Sequence, residues 1–148
     1  MTKNHKNFLN FAFHLAEKNL GKTKLNPSVG SVVVQNGEII SSAVTSQNGR
    51  PHSEFNALNK LKNCSGASLY TTLEPCSMCA GALVLSRIER LVFGATDPKS
   101  GMVGSLGNLV CDERLNHRME VTSGILEQES SELLKGYFKE RRSLAARR

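Results

Sequence analysis

The chain has 148 residues, 39% of them hydrophobic and 22% charged, with a formal net charge of +6. That length fits one domain that can bury a core without disulfide staples, and the composition excludes an intrinsically disordered chain. No apolar run approaches the ~20 residues of a membrane span, and Met1–Lys6 lacks the apolar core of a secretion signal. A single domain over 1–148, cytoplasmic and without a membrane partner, is expected.

In chain order, Phe8, Phe11, Ala12, Leu15 and Ala16 recur at helical spacing and Gly21 follows as a stop, which predicts an amphipathic first helix with that stripe in the core. Val29–Val34 is a β-rich run. Asn36-Gly37 supplies a turn, and Ile39–Val44 reads as the return strand of a hairpin. Ser53–Lys62 is predicted helical, with Phe55, Leu58 and Leu61 on one side. Leu69–Leu73 is a strand, after which Pro75 is expected to open a helix reaching Arg87, since proline suits the first helical position. Leu91–Ala95 and Met119–Thr122 are further strands. A glycine-punctuated loop separates them, and Leu126–Arg141 is a last helix. Strands separated by helices imply parallel crossovers, with helices covering both faces of the sheet.

Two short motifs carry the chemistry. His52-Ser53-Glu54 opens one predicted helix and Pro75-Cys76-Ser77-Met78-Cys79 opens another. Cys76 and Cys79, three apart, reach one point beside a helix start, where the partial positive charge favours thiolates. With the His52 imidazole they make three ligands for Zn²⁺, the catalytic number, because the fourth position is left for water whose pKa zinc brings toward neutrality. Glu54 lies off the face of His52 and is placed to shuttle a proton as general acid and base. A Cys-x-x-Cys pair alone also suits a structural zinc site or a redox dithiol. Cys64 and Cys111 are unpaired residues, expected to be bystanders. The combination of His-x-Glu, a strand and then Pro-Cys-x-x-Cys is the signature of zinc nucleobase deaminases.

The positive charge favours acidic partners, nucleic acid the commonest, although a generic basic protein has the same balance. Aromatic residues are only 5% and Trp is absent, which argues for one flipped base in one pocket rather than stacking along a strand.

These residues resemble the cytidine deaminase-like superfamily. Leu69–Leu83, reading Leu-Tyr-Thr-Thr-Leu-Glu-Pro-Cys-Ser-Met-Cys-Ala-Gly-Ala-Leu, resembles the bacterial tRNA adenosine deaminases, as do Val92-Phe93-Gly94-Ala95, Asp97-Pro98-Lys99 and Leu115-Asn116-His117-Arg118. Asn26-Pro27-Ser28-Val29-Gly30 and Gly49-Arg50-Pro51-His52-Ser53-Glu54 are closer to the pyrimidine deaminase domain of riboflavin biosynthesis. The cysteine spacing departs from the second family. Ser53, where the first usually has alanine, departs from that one, and the base-contacting Asn of its preceding loop is missing, with Asn48 nearby but shifted. A divergent natural enzyme or a chimera would give this pattern.

The resemblance implies an α/β fold, a three-layer α/β/α sandwich with a five-stranded mixed sheet, one Zn²⁺ per chain and a homodimer whose interface includes the helix after the cysteines. It implies a base pocket lined by Asn26, with the backbone near Leu73 and Glu74 meeting the bound base, Asp97 and Lys99 approaching the nucleic-acid backbone or sugar and Asn116, His117 and Arg118 supporting substrate loops. Asp97 could instead simply cap the segment at Pro98. His117 reads more simply as a hydrogen-bonded structural histidine, and Arg141, Arg142, Arg147 and Arg148 as a solvated tail or a tRNA contact. The expected reaction is hydrolytic deamination of adenosine to inosine at the tRNA wobble position. The alternatives are diaminohydroxyphosphoribosylaminopyrimidine deamination and a catalytically silent zinc or RNA-binding module.

Overall fold

A computed structural model describes residues 2–146, with side chains described for 4–136. Arg147 and Arg148, and the side chains of Tyr137, Phe138, Arg141 and Arg142, lie outside the described residues. The order is α1 Thr2–Lys18, β1 Gly30–Gln35, β2 Glu38–Val44, α2 Ser53–Asn59, β3 Ser68–Leu73, α3 Ser77–Leu85, β4 Arg90–Ala95, a 3₁₀ turn Leu109–Cys111, β5 Glu120–Ser123 and α4 Glu127–Ala146. The five strands form one mixed sheet in the order β2-β1-β3-β4-β5. β1 is antiparallel to β2 and β3, and β4 is parallel to β3 and β5. The β1–β2 hairpin closes through Asn36 and Gly37, at φ 54° and 78°, the left-handed pair that matches the twist of the strands.

Alternation along the strands divides the interior into two layers. Val33, Leu69, Leu91 and Phe93 face Ala57 and Leu58 of α2 and Ala80, Leu83 and Val84 of α3. Val32, Val34, Tyr70 and Val92 face Leu9 and Ala12 of α1, with Ile125 and Leu126 packed beside them. The sheet is therefore covered on both faces, the expected three-layer sandwich.

Three local expectations need correction. In α1 the core stripe runs through Leu9, Ala12 and Ala16, while Phe11 is 44% exposed. Phe8, Ala12, Leu15 and Ala16 of the expected stripe do face the core and Leu9 takes the place of Phe11; the strand comes close at Ala12, where a Cβ on Gly30 would run into the Ala12 carbonyl. In α2 the helix ends at Asn59, short of Lys62, and Phe55 is 39% exposed, while Ala57 and Leu58 point inward. Pro75 does not open α3. Cys76 is the extended N-cap (ψ 178°), because Pro75–Cys76 pairs with the loop beyond β4 through a Cys76–Gly101 bridge and a Met102 N–H bond to the Pro75 carbonyl at 2.9 Å. At its other end α3 stops at Leu85, and Arg87 turns left-handed at φ 60° instead of continuing the helix.

Candidate active site

α2 and α3 start side by side at the end of the sheet where β3 delivers its C-terminus, the usual place for a site in an α/β fold. His52 is the N-cap of α2 and Cys76 the N-cap of α3, with Cys79 one turn further on. Their ligand atoms lie within 4.8 Å of one another, and among the described residues they are the group of this kind able to hold a metal. His52 Nδ1 is 3.5 Å from Cys76 Sγ and 3.7 Å from Cys79 Sγ. Zinc bonds of about 2.3 Å to sulfur and 2.0–2.1 Å to nitrogen at a tetrahedral angle require N···S separations of about 3.5 Å. The imidazole nitrogen is thus already spaced from both sulfurs for this ion, and the N,S,S chemistry of the donors suits it. Cys64, bonded to the Ser86 carbonyl, and Cys111, bonded to that of Met119, take no part.

The same crowding shows in the protonation states. The hydrogen bond with Cys79, then the one with His52, holds the Cys76 thiol down to about 3. The proton of that pair stays on Cys79, whose thiol is pushed up by its bond to Cys76 and then by burial. His52 is raised, first by its bond to Cys76.

Glu54 is 4% exposed, and burial pushes its carboxyl above the ordinary glutamate value. Thr71 Oγ1 donates to Glu54 Oε1 at 3.0 Å. Glu54 opens onto the same cavity as His52 and Cys76, together with Asn26, Pro27, Val29, Thr45, Leu73, Glu74, Asp97 and Ser100. The cavity is about 90 Å³, far below the about 300–1,000 Å³ of a drug-sized ligand site, so it admits a ring rather than a whole nucleotide.

The expected substrate residues divide. Asn26, Leu73, Glu74 and Asp97 line the metal cavity, whereas Lys99 lines a neighbouring one with Pro98, Ser131 and Leu134. Asn26 Nδ2 is tied to the Gly49 carbonyl at 2.9 Å, which fixes this side chain in the wall. Asn48 is exposed and outside the lining. Asp97 Oδ1 accepts from Lys99 N and Ser100 N, the capping role. Glu74 commits both carboxylate oxygens to the following loop. It accepts from the backbone N–H of Asp97, Val103 and Ser105 and from the Ser105 hydroxyl. Burial opposes its ionisation more than any other single influence, but these bonds, Ser105 first, together bring it below the ordinary glutamate value. His117 is the structural histidine, bonded to the Ile88 carbonyl at 2.7 Å, and Asn116 and Arg118 bond to Arg87 and to local carbonyls. Pro27, Thr45, Ser100 and the anchoring of the loop by Glu74 were not among the sequence expectations.

Residues 2–95 match the family described as the cytidine and deoxycytidylate deaminase zinc-binding region. The chain belongs to this deaminase family. It is 48% identical over 124 residues to a tRNA-specific adenosine deaminase of Bacillus subtilis (strain 168), a match covering 77% of each chain. It superposes with a TM-score of 0.75 and 34% identity on a solved structure from studies of A-to-I editing at the wobble position of transfer RNA, covering 86% of this chain and 99% of that one. A diaminohydroxyphosphoribosylaminopyrimidine deaminase and 5-amino-6-(5-phosphoribosylamino)uracil reductase of Thermotoga maritima aligns at TM-score 0.76 and 34% identity, over 93% of this chain. This deaminase spans about two fifths (41%) of that two-activity protein. The family explains the three-donor site, and both sets of relatives fit the two resemblances in the sequence.

Proposed function

We propose that this deaminase converts adenosine to inosine in RNA, at the wobble position of tRNA. The observation that carries the reading is the 48% identity to a tRNA-specific adenosine deaminase over most of both chains. The +6 net charge supports an RNA partner. The small ring cavity supports a single flipped base.

His52, Cys76 and Cys79 would hold the zinc. When bound, the ion acts as a Lewis acid that brings the pKa of water toward neutrality. Glu54 is the catalytic residue. Its buried carboxylate carries one proton of the consumed water to the ring nitrogen and then the second, from the hydroxyl newly bonded to the ring carbon, to the exocyclic amine, so that the C–N bond breaks, ammonia leaves and a carbonyl remains. The raised affinity of Glu54 for a proton suits a group that must hold one in mid-reaction. Asn26, held by Gly49, and the Leu73–Glu74 backbone position the base edge. Asp97 in the wall of this cavity and Lys99 in the neighbouring one would approach the sugar-phosphate chain.

The active unit is a homodimer in the cytoplasm. On α3, Leu85 is 84% exposed and Met78 is also exposed, apolar surface that a second copy would cover. No described helix is long and apolar enough to cross a membrane.

The pyrimidine deaminase reading keeps two specific supports, the likeness to the Thermotoga maritima protein at 34% identity and Asn26-Pro27 in the wall of the cavity. A silent module is disfavoured by the buried carboxylate beside the metal donors. Offering the zinc-loaded protein a wobble-adenosine stem-loop and, separately, the free aminopyrimidine nucleotide tests the assignment. Turnover of the RNA alone supports it; turnover of the free nucleotide alone overturns it.

A further inference from the structure

Behind Glu54 lies a cluster of three hydroxyls that the reaction as described does not use. Ser31 of β1, Ser53 of α2 and Thr71 of β3 have no exposed surface. Ser53 Oγ and Ser31 Oγ are 2.7 Å apart, Ser31 Oγ donates to Thr71 Oγ1 at 3.1 Å, and Thr71 Oγ1 donates to Glu54 Oε1 at 3.0 Å. Ser53 Oγ is also 3.5 Å from Glu54 Oε2, well beyond the usual O–H···O reach of about 2.5–3.0 Å.

Each hydroxyl has one proton to donate. The Thr71 proton is committed to Glu54. Thr71 then accepts the Ser31 proton, which obliges Ser31 to accept the Ser53 proton. One arrangement satisfies all three short bonds, a one-way chain from Ser53 through Ser31 and Thr71 to Glu54 Oε1. In a dry interior such a chain polarises head to tail, and each dipole strengthens the next. Its positive end rests on Oε1, so the chain itself leaves Oε2 unengaged, while the Glu54 carboxylate also meets the Cys79 thiol. The three residues come from three elements, so the chain also locks the side chain of Glu54 to the sheet. Nothing in the fold requires hydroxyls here, since Val33 and Leu69, on the same face of the sheet, are apolar.

We propose that Ser53, Ser31 and Thr71 are positioning residues that hold Glu54 by Oε1 and so dedicate Oε2 to proton transfer. The inference rests on the assignment of Glu54 as the catalytic residue. Valine preserves the shape of Thr71 and removes the donor. A misplacement of the order of 1 Å at a catalytic group costs about 100-fold in rate. Thr71→Val is therefore expected to lower kcat by about 10- to 100-fold with KM, zinc content and melting temperature near wild type. Thr71→Ser, which restores the hydroxyl, recovers most of the loss. Ser31→Ala loses less than Thr71→Val, and Ser53→Ala less again, because each break lies further from the carboxylate. Ser31→Ala also stands in should Thr71→Val fold poorly.

The readout is kinetics of the zinc-loaded full chain on a wobble-adenosine stem-loop, with a crystal structure of each variant. The expected structures show one Glu54 conformer in the wild type, on Thr71, and a rotated or divided carboxylate in Thr71→Val. A wild-type kcat in Thr71→Val, an equal loss in Thr71→Ser, or an unmoved Glu54 overturns the proposal. Glu54→Gln runs beside them. If it stays active, the assignment of Glu54 has failed; if it is dead and Thr71→Val is not, only the hydroxyl chain has. The crystallographic comparison needs no turnover and holds whatever base the enzyme takes.

Discussion

On the metal side of the cavity, His52 and Glu54 stand two residues apart and Cys76 and Cys79 three apart, each pair at the first turn of a helix. On the opposite side, Asp97, Val103 and Ser105 are gathered by one distant carboxylate, Glu74, which accepts their backbone N–H groups. On the metal side helix geometry sets the spacing within each pair, and the two pairs meet across 24 to 27 residues where α2 and α3 pack together. The loop side depends on a contact over 23 to 31 residues. Gly101 is part of its fit, because a Cβ there would press on the Glu74 carboxylate. The difference teaches that the metal donors and the loop on the other side of the cavity rest on separable sets of residues.

Substitutions can break that separation. The largest effect belongs to Cys79→Ala, which removes a ligand at the buried end of the cluster. Zinc and all turnover should be lost together, read by metal analysis beside an activity assay. Glu54→Gln should keep its zinc and lose about 10²–10⁴-fold in kcat, the usual worth of a general acid–base group. Retained rate would mean the proton travels by another path.

Glu74→Gln attacks the other side. Each buried donor left unpaired costs about 1–3 kcal/mol, so the melting temperature should fall and KM should rise while zinc stays bound. The sign of its pH dependence follows from the lowered carboxyl. Stability from Glu74 is complete above the ordinary glutamate pKa and is lost as pH falls through the lowered value. Thermal melts from neutral to acid pH should therefore converge for wild type and Glu74→Gln, and a constant gap would contradict this. The smallest effect on the chemistry is expected from Leu85→Glu, which should shift the protein toward monomer in gel filtration while leaving zinc content unchanged.

Much of this was readable in the sequence for the same reason that divides the site. The hairpin followed from Asn36-Gly37, the order of elements from the spacing of apolar runs, and the metal donors from two short motifs. What escaped depended on tertiary contact. Spacing puts Phe11 in the α1 stripe and Phe55 on one side with Leu58, but Leu9 and Ala57 fill the core beside Ala12 and Leu58 while both rings stay exposed. Pro75 is a good helix starter by itself, yet its pairing with the loop at Gly101 and Met102 keeps it extended. The Ser31–Thr71 chain sits inside two strand runs that read as ordinary β sequence, and the residues meet only once β1 and β3 are paired in register. The resemblance puts the backbone near Leu73 and Glu74 at the base, and the sequence carries no sign that the Glu74 carboxylate holds the following loop.

The most direct test is to incubate the zinc-loaded protein with an anticodon stem-loop carrying a wobble adenosine and count inosine by mass spectrometry, beside Glu54→Ala. Inosine from the wild type and none from Glu54→Ala is the predicted result. No inosine from a folded, zinc-bound wild type would contradict the tRNA assignment, and inosine from both would contradict the role of Glu54.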